Sequence, residues 1–421
     1  MYERRKRVLL VAPPSDFLEN VRSVPPLGLL SLGTALRLQG HAVSLLILNS
    51  LEELCRHAEE QYDFIGITAT TRQYLAAIQI LNYFKREGSH AVIAIGGSHA
   101  TAMPQEAIRN GFDIVVTGEA DLEISRLVEE GLRGPQVIAC DPIRSLNVLP
   151  MPDLDLLADQ HSWRPFMGIG EDPSMRVAPI LLSRGCPFSC AFCGSHAPYR
   201  RRSKSHISAE LHRLRETGYN GLVVVDDLPF LRESQAFEFC DTVRRFNMRF
   251  RCNYRPNLLT PRVAARLKMS GCCRVQLGIE SVEAATLQAI GRPDSDVNVR
   301  AIQVCRNEGL EVKAMFIWGL PRDSPDTAER LIAWVRQYRP NAIQVSLFTP
   351  LPGSTLWDSG LSRCLIDYGK SSLFPVDGKS KLGVGNGHME AGELMKLYMK
   401  IIGDCSQFTY VDHGLNSELA S

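Results

Sequence analysis

Short β-branched and aliphatic runs, separated by amphipathic stretches of helix length, recur through most of the sequence, and this alternation is what most limits the fold. A strand followed by a helix cannot meet its successor through a tight turn, so each pair closes through a crossover and the strands run parallel. In the first third the runs fall at 8–12, 42–48, 64–68, 91–96 and 114–116. They predict an α/β, doubly wound, flavodoxin- or Rossmann-like layer, whose ligands sit beyond the carboxyl ends of the strands. From 134 to 176, Pro135, Pro142, Pro150, Pro152, Pro165 and Pro173 interrupt any long element, and the segment reads as an interdomain linker. Runs resume at 178–182, 222–225, 250–253, 274–277, 312–317 and 342–346, predicting a partial (βα)6 TIM-type barrel. The expected organisation is 1–133, a linker at 134–176, a barrel at 177–357 and a less periodic C-terminal region at 358–421.

A formal charge of +1 supplies no field for nucleic acid or an anionic membrane, and the basic run Arg200, Arg201, Arg202 and Lys204 reads as a solvated loop. The apolar stretch after the basic start, 8–13, is too short for a signal segment or a membrane span, so a cytoplasmic protein is expected. Among the twelve cysteines, Cys55, Cys140, Cys240, Cys252, Cys305, Cys364 and Cys405 are scattered and read as buried small apolar residues.

Three other cysteines are gathered in Ser183-Arg184-Gly185-Cys186-Pro187-Phe188-Ser189-Cys190-Ala191-Phe192-Cys193, directly after a strand-like run. Thiolates are the usual ligands of iron–sulfur clusters, and a cubane of four irons held by three cysteines keeps one iron open. Zinc is the other reading of the same thiols, with His196 as fourth ligand. The CxxxCxxC spacing, with Phe192 before the last cysteine, resembles that of the radical S-adenosylmethionine superfamily. The resemblance implies a [4Fe–4S] cluster on Cys186, Cys190 and Cys193, reductive cleavage of S-adenosylmethionine to a 5′-deoxyadenosyl radical, and an electron donor such as flavodoxin or ferredoxin.

Further segments resemble the cobalamin-dependent members of that superfamily: Val223-Val224-Val225-Asp226-Asp227, Leu277-Gly278-Ile279-Glu280-Ser281, Phe316-Ile317-Trp318-Gly319-Leu320-Pro321 and Phe348-Thr349-Pro350-Leu351-Pro352-Gly353. This implies contacts to S-adenosylmethionine from Asp226, Asp227, Glu280, Ser281, Phe192 and Thr349. Asp226 and Asp227 read equally as a strand-ending turn, and Ser281 as a helix cap. Tyr199, Tyr254 and Trp318 fit either a substrate pocket or a core.

In the first third, Pro25-Pro26-Leu27-Gly28-Leu29-Leu30, Thr68-Ala69-Thr70-Thr71, Gly96-Gly97-Ser98-His99 and Thr117-Gly118-Glu119 together resemble the cobalamin-binding domain of many radical enzymes. Thr68, Thr70, Thr71, Gly96, Gly97, Gly118 and Glu119 are then the expected cobalamin contacts, the glycines by letting a nucleotide tail pass close to backbone. An Asp-x-His-x-x-Gly motif is absent, so cobalt without a histidine ligand is expected, its lower face covered from 20–26 or 70–74.

The expected activity is methyl transfer to an unactivated carbon of a small molecule, such as a natural-product intermediate, through methylcobalamin and a deoxyadenosyl radical. The alternative is a cyclase, a cyclopropane-forming or a ring-rearranging enzyme using the same cofactors without net methyl transfer. A non-catalytic metal- or cobalamin-binding protein is a third reading.

Overall fold

The computed structural model describes residues 5–14, 25–57, 60–132, 134–157, 175–195, 197–357, 386 and 388–408. His196, residues 20–24 and most of 358–421, Cys364 included, lie outside them. The chain divides into two compact units, Met1–Pro165 and Phe166–Ser421.

The first unit holds β1 (Arg7–Ala12), α1 (Leu27–Leu38), β2 (Ala42–Ile47), β3 (Phe64–Thr68), α2 (Tyr74–Arg86), β4 (Val92–Gly96), α3 (Ser98–Ala102), α4 (Pro104–Arg109), β5 (Ile114–Gly118), α5 (Ile124–Glu130) and β6 (Gln136–Cys140). Its strands form one parallel sheet in the order β2-β1-β3-β4-β5-β6. The order reverses between β1 and β3, which places the switch-point crevice at the ends of those strands. Alternate residues feed opposite faces: Leu9, Val11, Ile65, Ile67, Ile93 and Ile95 pack on Tyr74, Ile80, Leu81 and Phe84 of α2. Val8, Leu10, Phe64, Val92 and Ala94 pack on Leu29, Leu30 and Leu36 of α1 and on Leu127 and Val128 of α5.

Of the expected linker 134–176, the described residues 134–157 belong to the first unit instead. Residues 136–140 are the sixth strand, paired with β5 from Ile114↔Gln136 to Gly118↔Cys140, and Leu156 and Leu157 are buried in the same core as α1. Prolines at 135, 142, 150 and 152 all lie outside the strand 136–140, so they bound these short elements without removing any ladder N–H.

The second unit begins with β7 (Val177–Ile180) and a short antiparallel pair, β8 (Ser183–Arg184) and β9 (Arg200–Arg201). There follow α6 (Lys204–Glu216), β10 (Gly221–Val224), α7 (Glu233–Arg244), β11 (Arg249–Tyr254), α8 (Pro261–Met269), β12 (Cys272–Glu280), α9 (Ala284–Ala289), α10 (Ser295–Asn307), β13 (Glu311–Trp318), α11 (Pro325–Tyr338), β14 (Ala342–Leu347) and α12 (Ala391–Asp404). Six strands pair in parallel in the order β14-β13-β12-β11-β10-β7, the six-stranded partial barrel foreseen from the alternation.

Aromatic residues fasten this sheet to its helices. Phe239 of α7 meets Phe250 of β11 edge-on at 5.2 Å, and Trp334 of α11 meets Phe316 of β13 at 5.4 Å. Trp318 is fully buried and donates its indole N–H to Leu394 O at 2.9 Å, and Tyr254 is 5 % exposed, so both belong to the core. Tyr199, half-buried, reaches Gln235 Oε1 at 3.3 Å from its hydroxyl. No helix among the described residues is long and apolar enough to cross a membrane.

Candidate functional site

The cysteine loop leaves the sheet through β8 and returns through β9, so its two ends are pinned together. Cys186 N donates to Ala197 O at 3.1 Å, and Arg202 N to Leu182 O at 2.9 Å. Gly185 sits at φ +80°, and a Cβ there would overlap the carbonyls of Ala197 and Pro198, so only glycine allows the loop to close. The far side of the loop docks on the end of α9 and on the segment after β14: Ala191 N donates to Ile290 O at 3.1 Å, and Leu356 N to Ala191 O at 2.9 Å.

The basic run at 200–202 is not a solvated loop. Arg201 donates to Pro229 O and Gln235 O, and Arg202 donates to Leu181 O at 2.8 Å and forms a buried ion pair with Glu210. The run returns the chain from the cysteine loop, and its guanidiniums tie that return to the barrel.

Asp226, foreseen as a contact to S-adenosylmethionine, has another task. Its carboxylate is 1 % exposed and accepts from Leu182 N at 2.9 Å, from Ser183 N and from Ser183 Oγ, which orients the approach to Gly185. Burial pushes its acid up to about 6, while these hydrogen bonds and Arg201 pull the other way. Asp227 is the exposed carboxylate of the pair and accepts from Ser195 Oγ at 3.2 Å, beside Cys193.

Cys186 accepts the Phe188 N–H, and Cys193 accepts the Ser195 N–H at 3.4 Å. Burial raises both thiols and the backbone N–H groups oppose it; the charge of Asp227 adds to the rise at both, and Arg255 counters it at Cys186. Cys190 is 8 % exposed and faces cations instead: Arg255 Nη1 lies 3.3 Å and Arg292 Nη1 4.0 Å from its sulfur.

Glu280 ends β12 at φ +67°, a conformation unfavourable for a residue with a side chain, at a break in the β12–β13 register. Its carboxylate pairs with Arg292 at 3.3 Å, and burial raises its acid while Arg292 and then Arg255 lower it. Ser281 is buried and its hydroxyl accepts from Glu283 N at 3.2 Å, a local turn ahead of α9, whose N-cap is Glu283 and not Ser281. Phe192 packs with Ile290, Leu320 and Phe348. Thr349 lies beyond the end of β14, 7 % exposed, with a buried hydroxyl that has no hydrogen-bond partner.

The fit to a cubane and a sulfonium ligand rests on these groups. Three thiols share a braced loop, while Thr349 offers a buried hydroxyl without a partner. Among the described residues no three His, Cys, Asp or Glu side chains are placed to share a single metal ion. A cubane takes each thiolate on a different iron, so its ligands need not converge on one point.

In the first unit the foreseen residues line up along one edge. Thr68 and Gly96 are register partners at the ends of β3 and β4, and Gly118 ends β5. Gly97 and Gly118 are exposed at φ +95° and +79°; a Cβ on Gly97 would meet Ala69 O at 2.8 Å, and one on Gly118 would overlap Cys140 O. Their lack of a side chain is therefore required by neighbouring backbone as well as open to a ligand. Gly96 is different, since a Cβ there would meet Val116 O at an ordinary 3.7 Å.

Thr70 Oγ1 and N both bond Gln73 Oε1, and Gln73 Nε2 reaches Pro13 O at 2.9 Å, which joins the loops after β1 and β3. Thr71 is buried against His99 Nδ1 at 3.3 Å, and Glu119 accepts from Ile143 N at 2.9 Å. His99 is fully buried, stacked on Tyr74 at 3.9 Å, and His41 is buried beside Glu129. The exposed glycine backbone at the carboxyl ends of β4 and β5 fits an extended nucleotide tail.

The description "Radical SAM superfamily" matches residues 180–335, and "B12 binding domain" matches residues 20–128. The chain is a cobalamin-dependent radical S-adenosylmethionine enzyme. The 4Fe–4S cluster, S-adenosylmethionine and cobalamin are accordingly the cofactors of this enzyme family. An uncharacterized methyltransferase of Pyrococcus horikoshii is 26% identical over 86% of this chain and 84% of its own length. The anaerobic magnesium-protoporphyrin IX monomethyl ester cyclase of Rubrivivax gelatinosus is 25% identical over 70% of this chain, which spans only 58% of that relative. The radical S-adenosylmethionine methyltransferase TsrM of Kitasatospora setae, solved with cobalamin and a [4Fe–4S] cluster, shares the fold at TM-score 0.69 and 16% identity, covering 97% of this chain and 90% of TsrM.

Sequence reasoning missed Arg255, Arg292 and the requirement for glycine at 185 in this cobalamin-dependent radical enzyme. Arg255 directly follows β11 and could have been found by scanning every strand end for cations. Arg292 lies beyond α9, and only the tertiary fold brings it to Cys190.

Proposed function

We propose that the protein transfers a methyl group to an unactivated carbon of a small molecule. The observation that carries this reading is the union, in one chain, of a three-cysteine loop and a parallel sheet that bears bare glycine backbone at the carboxyl ends of β4 and β5. When bound, the cluster with S-adenosylmethionine supplies a carbon radical and the cobalamin supplies the methyl group, a pairing suited to a carbon that is no nucleophile. Cys186, Cys190 and Cys193 would hold the cluster. Glu280 and Thr349, one buried carboxylate and one buried hydroxyl at strand ends, would hold the ribose or ammonium of S-adenosylmethionine, and Asp227 would lie beside them. Asp226 would act at one remove, by holding Leu182 and Ser183 so that the loop presents its thiols together.

On the cobalamin side, Thr68, Gly96, Gly97 and Gly118 would flank the nucleotide tail. Thr70, Thr71 and Glu119 would shape their loops. With the rings of His99 and His41 buried, cobalt would be held without a histidine from these positions, and its Co(II) spectrum would lack nitrogen hyperfine splitting.

The deciding experiment is anaerobic incubation of the reconstituted protein with cobalamin, a low-potential reductant and trideuteromethyl-labelled S-adenosylmethionine. S-adenosylhomocysteine together with label on cobalamin is the expected result. Deoxyadenosine with no label transferred would overturn methyl transfer in favour of ring formation.

A further inference from the structure

The three cluster cysteines have unequal surroundings. Cys186 and Cys193 each accept one backbone N–H and feel the charge of Asp227, with Arg255 also acting on Cys186, whereas the Cys190 sulfur has two guanidiniums directly against it. We propose that Arg255 and Arg292 are positioning residues that set how readily a cluster on these cysteines accepts an electron, and that Arg292 links this setting to the occupant of Glu280. The proposal rests on the cluster assignment above.

Both side chains are held in place. Arg255 is 8 % exposed, its guanidinium 3.9 Å over the Phe188 ring, with Nε on Asn257 Oδ1 at 3.0 Å, Nη2 on Gly291 O at 3.3 Å and Nη1 left for Cys190. The side chain of Arg292 is 7 % exposed, pairs with Glu280 and donates to Gly278 O. A Cβ on residue 278 would stand 2.5 Å from Glu280 Oε1 and 2.9 Å from Arg292 Nη2, so the missing side chain of Gly278 is the space this pair occupies. A buried carboxylate at φ +67° and a buried arginine are thus arranged at one strand end, in reach of one cluster sulfur.

Reduction adds one electron from a low-potential donor to the cluster and moves no proton. Added negative charge is shared with the thiolate sulfurs, so a donor aimed at a sulfur stabilises the reduced form more than the oxidised one. The effect is strengthened where water is excluded. Arg292 divides its charge between Glu280 and Cys190. An ammonium or hydroxyl from S-adenosylmethionine that engaged Glu280 would release Arg292 toward the sulfur, so ligand binding would ease reduction.

The test uses the full chain, reconstituted without air, as wild type, Arg255→Gln, Arg292→Gln, Arg255→Lys and Arg292→Lys. Iron and sulfide are measured first, then the cluster midpoint by EPR-monitored titration with and without S-adenosylmethionine. Each glutamine variant is expected to keep its cluster and to disfavour reduction about tenfold, about 59 mV for a one-electron couple. The lysine variants should recover part of that shift, and the rise on adding S-adenosylmethionine should vanish in Arg292→Gln. Full clusters with unchanged midpoints in both glutamine variants would overturn the proposal. Should a glutamine variant load no cluster, its lysine partner decides: a restored cluster supports the role of charge, and a lost one refutes it. A wild type that binds no cluster would remove the assignment itself.

Discussion

The two sheets solve the same problem, holding residues beyond the carboxyl ends of parallel strands, by opposite means. In the first unit the edge is made of what is absent: glycines 97 and 118 expose backbone beside the half-buried Gly96, and their neighbours Thr70, Thr71 and Glu119 bond within or between the loops they stand on. In the second unit the site is made of charged side chains that brace a loop from outside: Arg201, Arg202, Arg255, Arg292 and Asp226. An edge of bare backbone accommodates a large flat ligand through close approach. A loop that must hold several thiolates apart in fixed geometry needs compensation for their charge, which only buried cations and oriented N–H groups supply.

The sharpest way to break this contrast is Cys190→Ala, which should remove the cluster, read as loss of iron and sulfide, and abolish deoxyadenosine formation while leaving cobalamin binding intact. Next comes Gly118→Ala: φ +79° and the overlap with Cys140 O should displace β6 and destabilise the first unit by roughly 3 kcal/mol or more, seen as early thermal unfolding. Gly96→Ala, at 3.7 Å from its neighbour, should stay within about 1 kcal/mol of wild type and weaken cobalamin alone.

Acidification should separate the units with opposite signs. Burial lowers His99 to about 4, so in the unfolded chain it gains a proton below about 6.5 while in the fold it stays neutral. The first unit therefore loses roughly 3 kcal/mol as pH falls from 6.5 to 4. Asp226 at about 6 and Asp323 at about 7 are raised above the ordinary 3.8 by burial, so the fold binds more protons than the unfolded chain between those values. The second unit loses stability as pH rises through that window, roughly 3 kcal/mol from Asp226. Hydrogen exchange followed in each unit at pH 4.5 and 6.5 reads both slopes, and His99→Gln and Asp226→Asn should each flatten its own.

The smallest expected effect is Thr349→Val. Removing a buried hydroxyl without a partner should change stability by no more than about 0.5 kcal/mol. Loss of its hydrogen bond should weaken S-adenosylmethionine about fivefold by calorimetry. Unchanged affinity would place Thr349 with the packing residues.

Strand existence and order of type were legible because parallel α/β units write an alternation of apolar runs and helices, and the three cysteines were legible because one loop carries them all. The sixth strand of the first sheet was not, since an edge strand rimmed by prolines has the same local pattern as a linker. Asp226 and Asp227 are adjacent, and spacing could not say which would be buried under Ser183 and which exposed beside Ser195. The basic run failed for the same reason: Arg202 has its carboxylate partner, Glu210, on the following helix, and only the burial of that pair distinguishes a brace from a solvated loop.

The sequence by itself determined the two parallel sheets, the three-cysteine loop and the glycine-bearing strand ends, because each depends on local pattern or on residues a few positions apart. Tertiary structure decided which charges face the sulfurs and which residue types merely hold a loop. Arg255 and Arg292 lie 65 and 102 positions from Cys190, and a contact over such separations is set by strand register and helix packing.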